Sequence, residues 1–242
     1  MFFRTVRETA DHGGINTWER EPYVREFNAS SGAPILYPAQ SRVTRNFLFS
    51  DGYGIHSADH DDGSNGWLDE RNVLAWSGTK NWQGFNKTAA GNLIVRPDYC
   101  PACAPGAHTN EGPGGMPLPT SFYFPACARS LGQARWGALR DTYEGNTCIL
   151  GATASPYIFG TCNASAPGAA GDVPDARGNT FYTPGARLAI ACGGRNLTLA
   201  EAQAVGYEAG SRVLDSAQLA PADVVAMIEA LLGFGGAARG GL

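Results

Sequence analysis

The sequence predicts an all-β chain, a parallel β-helix solenoid with short C-terminal capping helices. Three observations predict it. Glycine (32) and proline (15) are abundant, and only 17% of the 242 residues are charged, a composition of many turns and few long helices. A short unit made of a turn residue, an asparagine and an apolar run recurs along the chain. The hydrophobic period changes from strand-like to helical only after residue 196.

The recurring unit reads Arg45-Asn46-Phe47-Leu48-Phe49, Arg71-Asn72-Val73-Leu74-Ala75, Gly91-Asn92-Leu93-Ile94-Val95, Gly145-Asn146-Thr147-Cys148-Ile149 and Gly178-Asn179-Thr180-Phe181-Tyr182. Its asparagines lie 26, 20, 54 and 33 residues apart. A spacing in the twenties suits coils that cannot bury their own apolar face and must stack to share a core. The 54-residue gap fits two coils, or one coil with a long insertion. Asparagine suits the turn because it tolerates left-handed φ and its amide can satisfy neighbouring backbone groups.

Taken in order, residues 1–20 read as a strand, a tight turn at Asp11-His12-Gly13-Gly14 and a second strand. Residues 21–40, with Pro22, Pro34, Pro38 and Ser30-Ser31-Gly32, read as a loop. The coils are expected over residues 1–195. Residues 96–135 break the repeat with Cys100-Pro-Ala-Cys103, the tract Gly112–Pro119 and Cys127, and read as an insertion loop stapled by cysteines. Residues 196–233 read as a helical cap. Thr198-Leu-Ala-Glu201 is a capping box opening a helix over Leu199–Val205. Pro221 fits the first turn of a second helix whose Val224, Val225, Ile228, Leu231 and Leu232 share a face, with Gly233 as its stop. This cap is expected over the open strand edge of the last coil. Residues 234–242 read as a disordered tail.

A net charge of −4 with no basic patch argues against a nucleic-acid partner. The longest apolar run, near Val224–Phe234, is too short to span a bilayer. Four sequons (Asn28, Asn86, Asn163, Asn196) and six cysteines point to a secreted or extracellular glycoprotein. Met1-Phe2-Phe3-Arg4 lacks the apolar core of a signal peptide, so the expectation is that an N-terminal part of the secreted protein is missing from this chain.

Three stretches resemble the right-handed parallel β-helix repeat proteins of pectate-lyase-like architecture, many of them carbohydrate-active. Thr9–Trp18 is similar to that family's "D-G-G-hydrophobic-x-x-W" coil. Ser57–Ser64 followed by Arg71-Asn72-Val73 is similar to its "D-D-G-S … N-hydrophobic" coil. Leu197–Val213 resembles the segment after its last coils, with Ala202 in place of a Trp and Glu208 in place of an Asp. The resemblance implies a right-handed β-helix and a polysaccharide or glycan partner. It does not select a chemistry, because the same fold hosts lyases, hydrolases, epimerases and non-enzymes. The full motif sets of pectate lyases and polygalacturonases are not recognisable.

The chemistry-bearing stretch is Ser57–Trp82, with Asp59, His60, Asp61, Asp62 and Asp69 beside an apolar strand. Asp11-His12 on a neighbouring coil and the Asp59–Asp62 group are candidates for the carboxylate pair of an inverting glycosidase, an acid at the leaving oxygen and a base for water. The alternative is a polar solenoid turn. Asp59, Asp61 and Asp62 are also candidate calcium ligands. For a lyase, Lys80 or His60 is the candidate base; the plainer reading of Lys80 is a solvated surface lysine. Lys87, inside a sequon, is a weaker candidate. Trp18, Trp67 and Trp82 are candidate sugar-stacking residues and Arg20 a contact for an anionic sugar, while Trp76 is expected in the core. Cys100, Cys103, Cys127, Cys148, Cys162 and Cys192 are disulfide candidates, favoured over a zinc site of Cys100, Cys103, Cys127 and His108. Serine-nucleophile chemistry has no support, since Gly63-Ser64 lacks an elbow pattern. The leading expectation is a secreted glycoside hydrolase or polysaccharide lyase. The alternatives are a non-catalytic extracellular protein for glycan binding or structure, and an inactive truncated fragment.

Overall fold

The computed structural model describes residues 2–3, 13–18, 24–36, 40–49, 56–98, 126–131, 140–152, 155–159, 161–165 and 173–234. Short apolar runs separated by Gly and Asn turns give strands of two to six residues, which pair into three parallel sheets. The first sheet stacks Ile15–Trp18, His56–Asp61, Gly78–Trp82, Ala128–Leu131 and Tyr157–Phe159. The second stacks Ser41–Thr44, Trp67–Glu70, Thr88–Ala90, Thr142–Glu144 and Asp175–Arg177. The third stacks Phe2–Phe3, Phe47–Phe49, Val73–Ala75, Leu93–Val95, Thr147–Ile149, Thr180–Thr183 and Arg212–Asp215. From residue 13 to residue 183 the chain visits first, second and third sheet in that cyclic order, an arrangement compatible with a β-helix.

The five repeat asparagines occupy one register position and form a ladder. In each rung the carboxamide oxygen accepts the backbone N–H of the preceding asparagine at 2.9 Å. The carboxamide nitrogen donates to the carbonyl of Val43, Asp69, Ala89 or Tyr143 inside the coil. The left-handed residue is the one before each asparagine: Arg45, Arg71, Gly91, Gly145 and Gly178 have φ of 50–65° or so, 55, 55, 59, 61 and 63° in order. The left-handed turn position thus falls one residue before the asparagine, not on the asparagine as expected from sequence. The ladder ends on Ser211, whose hydroxyl accepts from Asn179 N–H at 2.8 Å. Beside it Glu208 accepts from Asn179, Ser211 and the Tyr157 hydroxyl. Burial pushes the Glu208 carboxyl up, against these three donors.

Leu93–Val95 pairs directly with Thr147–Ile149, so the 54-residue gap is one coil with an insertion. Within the predicted insertion of 96–135, Ala128–Leu131 is a strand of the first sheet; residues 99–125 and 132–139 lie outside the described residues. Within 21–40, expected as a loop, Val24–Phe27 and Pro34–Leu36 form an antiparallel hairpin. Asn28 makes this possible: its carboxamide oxygen accepts from Ser30 and Ser31, and Gly32 sits at φ +67°.

Inward residues of successive rungs, Leu48, Leu74, Ile94, Cys148 and Phe181, make the core. The Cys127–Cys148 disulfide crosses it, and Cys162–Cys192 ties the segment after the last first-sheet strand to a hairpin at residues 190–197. Cys127 is thereby committed to a disulfide rather than to zinc; Cys100 and Cys103 lie outside the described residues. The capping box of Thr198 and Glu201 forms, opening α1 (Leu199–Ala204), whose Ala202 joins the core together with Leu197 and Tyr207. The second helix, α2 (Pro221–Leu232), does not cover the last coil. It lies along the outer face of the third sheet, where Val224, Met227, Ile228 and Leu231 pack over Val73, Leu93 and Ile149. The reason is in those strands: they are apolar on both faces, so their outer side also demands cover. Trp76, expected in the core, is half-buried at φ +60° and packs against Phe49. No helix among the described residues is long and apolar enough to cross a membrane.

Candidate functional site

After a register irregularity between His56 and Ala58, the strand alternates from Ala58 to Asp61, and its two faces carry different chemistry. Asp59 and Asp61 project from the outer face. Ala58 and His60 project into the coil. In register with Asp59 stand Asn16 on one side and Lys80 on the other, and Lys80 is in turn in register with Arg129. One row across four rungs is therefore Asn16, Asp59, Lys80 and Arg129.

The Lys80 ammonium lies 3.0 Å from Asp59 and 3.2 Å from Asp61, so it bridges both carboxylates. Asp59 also accepts from Gly13 N–H at 3.0 Å and from Asn16 at 3.1 Å. Gly13 must be glycine here: a Cβ would stand 2.4 Å from the His56 carbonyl oxygen and 2.6 Å from Asp59 Cβ. Asp59 and Lys80 are buried at 0% and 2% exposure, which removes the reading of Lys80 as a solvated lysine. Burial pushes the Asp59 carboxyl up, opposed by Lys80. His56, buried beneath Arg129 with 3.5 Å between Nε2 and the guanidinium, is held well below the ordinary imidazole range by burial first, then by Arg129 and Lys80. The cluster opens to solvent at Asp61, Asp62, Trp82 and Trp18; the Trp18 indole donates to Asp62 at 3.1 Å and is 64% exposed. Trp82 has Lys80 and Arg129 at 5.6 and 5.5 Å from its ring centre.

His60 is not part of this outer cluster. Its ring lies inside the coil, with Nε2 at 2.7 Å from Asp69, Nδ1 at 2.9 Å from the Thr17 hydroxyl, and its face stacked on Trp67. Asp69 occupies a core column that elsewhere holds Val43, Ala89 and Tyr143, so a carboxylate stands where the fold expects a hydrophobe. Its Oδ1 is buried without a hydrogen-bond partner. Lys87 is equally interior. Its ammonium lies 3.4 Å from Asp141 and donates to the Ser64 and Gln83 carbonyls. Burial lowers the Lys87 ammonium and raises the Asp141 carboxyl, each opposed by the other's charge.

Among the described residues no group of three His, Cys, Asp or Glu is placed to hold a metal. The Lys80 ammonium sits between Asp59 and Asp61 where a cation would sit, and Asp62 turns to Trp18 instead. Asp11, His12 and Arg20 lie outside the described residues. His56, Arg129 and Asp141 are not identified from sequence as site residues, because each is a single polar residue whose partner lies a distant stretch away; Lys87, a weaker candidate from sequence, is paired with Asp141 inside the coil. A separate groove of 530 Å³ runs over Gly91, Gly145 and Gly178, between walls that include Glu70, Arg71, Glu144 and Arg177.

Compared with family models, curated proteins and solved structures, the chain matches none of them. What defines its class is thus its own geometry: stacked parallel sheets with a buried acid–lysine–acid cluster that opens at tryptophans.

Proposed function

We propose that the chain is a right-handed parallel β-helix of the secreted, carbohydrate-active kind, and that Asp59, Asp61 and Lys80 cut a glycosidic bond at the opening beside Trp18 and Trp82. The observation that carries this reading is the pair of same-face carboxylates sharing one ammonium. Contacts of 3.0 and 3.2 Å to a common Nζ keep the two oxygens within about 6 Å of each other. That falls nearer the spacing of retaining glycosidases, about 5–5.5 Å, than that of most inverting ones.

The two environments separate the roles. Asp59 is buried and holds the Lys80 ammonium in place, while Asp61, partly open beside Trp18 and Trp82, is the carboxylate presented to the sugar. The tryptophans offer flat apolar faces to sugar rings. Two disulfides and the sequons support an extracellular setting.

One observation favours a non-catalytic reading. Asp59 and Lys80 neutralise one another in a buried site, and a paired buried salt bridge can serve register alone. Product analysis separates the two. Folded protein is incubated with neutral and uronic-acid polysaccharides, with new reducing ends and new unsaturated ends measured separately. Reducing ends that vanish in Asp61→Asn support hydrolysis. Unsaturated ends move the chemistry to elimination, with Lys80 as the candidate base. Silence across the panel from folded protein leaves the binding or structural role.

A further inference from the structure

The four sequons are alike in sequence, but the fold presents them very differently. Asn28 is exposed at the tip of the Val24–Phe27/Pro34–Leu36 hairpin, where its neighbour Phe27 is 61% exposed. Its carboxamide oxygen accepts from Ser30 N–H at 2.9 Å, leaving the carboxamide nitrogen directed away from that contact. Asn163 repeats the arrangement, accepting from Ser165 N–H at 3.0 Å, and both residues are exposed. Asn196 is exposed in the middle of the 190–197 hairpin, with Arg195 and Thr198 exposed as well.

Asn86 itself is half-buried, whereas the other three sequon asparagines are exposed. It sits at φ +60° between Phe85 and Lys87, which are 3% and 1% exposed. Lys87 N–H donates to Asp141 at 2.9 Å, and Thr88 is paired on both sides, with Leu68 and with Thr142. The segment that carries Asn86 is therefore clamped between rungs rather than displayed on a turn.

We propose that the folded protein carries N-linked glycans on Asn28, Asn163 and Asn196 and none on Asn86, an inference that rests on the secretory part of the function proposed above. The transfer joins Asn Nδ2 to the anomeric carbon of an oligosaccharide carried on a lipid diphosphate. The carbon–oxygen bond to the diphosphate breaks, the lipid diphosphate leaves with the bonding pair, and Nδ2 gives up one proton to solvent. Two of the three glycans fall together. Asn163 follows Cys162, and Asn196 lies on the hairpin of Cys192, so both flank the Cys162–Cys192 disulfide. Two of the three glycans thus sit beside the Cys162–Cys192 disulfide and the third on the hairpin that follows Ile15–Trp18.

The test is to secrete the full chain from a eukaryotic host behind a cleavable leader. The folded material is deglycosylated with an amidase in heavy-oxygen water, and the resulting Asn-to-Asp conversion is mapped by peptide mass spectrometry. Conversion at Asn28, Asn163 and Asn196 with an unmodified Asn86 is the expected result. Asn86→Gln is expected to change neither the glycan pattern nor the secreted yield, while Asn28→Gln, Asn163→Gln and Asn196→Gln each remove one glycan. A glycan on Asn86 in folded protein, or bare asparagines at the other three, overturns the proposal. If this pattern appears in the forced-secretion material while protein from its native source is bare, the site assignment stands and the secretory reading falls.

Discussion

Removing one interior rung of the asparagine ladder tests whether the ladder holds the stack together. In Asn92→Ala four hydrogen bonds disappear: to the Asp69 carbonyl at 2.9 Å, to Asn146 at 3.0 Å, and from Asn72 N–H and its carboxamide at 2.9 and 3.1 Å. The Asn72 carboxamide keeps Val43, and Asn146 keeps the donation from Asn92 N–H. Two buried backbone groups, Asn72 N–H and Asp69 C=O, lose these partners. At roughly 1–3 kcal/mol for each unsatisfied group, the expected loss is about 4 kcal/mol. Asn46→Ala is the internal control. It removes contacts at a half-buried rung, where water replaces them, so its expected cost is about 1 kcal/mol. Urea titration of both variants reads the difference. With a slope of about 2–3 kcal/mol/M, the Asn92 midpoint is expected to fall by about 1.5 M and the Asn46 midpoint by less than about 0.5 M. Equal shifts, at unchanged slope, would refute the claim that buried ladder bonds rather than side-chain volume set the stability.

Lys80→Met leaves Asp59 and Asp61 facing each other in a buried site and is expected to cost about 3–5 kcal/mol; adding Asp59→Asn should recover part of it, as chemical denaturation will show. Replacing Cys127 and Cys148 by alanine opens a 21-residue closure and is expected to lower stability by about 3 kcal/mol in calorimetry. Glu208 is raised above its ordinary value of 4.5, so its stabilising contribution is complete below that pH and is lost as pH rises through the folded value. The stability difference between wild type and Glu208→Gln is therefore expected to move in favour of the variant from pH about 4 to pH about 7, and a pH-independent difference would contradict the assignment. Gly78→Ala places a Cβ 2.0 Å from the Ala126 carbonyl oxygen, backbone that cannot swing aside, and is expected to cost about 3 kcal/mol in a thermal melt.

The ladder was legible in the sequence because one residue type marks one position in every coil. The capping box at Thr198 was legible for the same reason: its chemistry is local. What was hidden depends on pairing between coils. Nothing near Lys87 announces Asp141, 54 residues on, and nothing near His56 announces Arg129, 73 residues on. His60 looked like part of an acidic turn, yet strand alternation turned it inward to Asp69 while Asp59 turned outward. The helix over Pro221–Leu232 was visible, but its berth was not, because the double-sided apolarity of Val73–Ala75 and Leu93–Val95 reads as ordinary core until the outer face is seen. Trp18 and Trp82, offered as sugar contacts, lie near the outer cluster, whereas Trp67 is engaged with His60.

The ladder carries a lesson in modularity. Successive rungs are reached after 26, 20, 54 and 33 residues, yet the bond that joins them is 2.9 Å every time. The register therefore ignores how far the chain wanders between visits. Closure entropy grows only with the logarithm of length, so lengthening one excursion from 20 to 54 residues costs about 0.9 kcal/mol. Each rung acts as a socket with a fixed footprint and a free cable length. Changes of chain length between rungs are therefore expected to cost far less than changes within a rung.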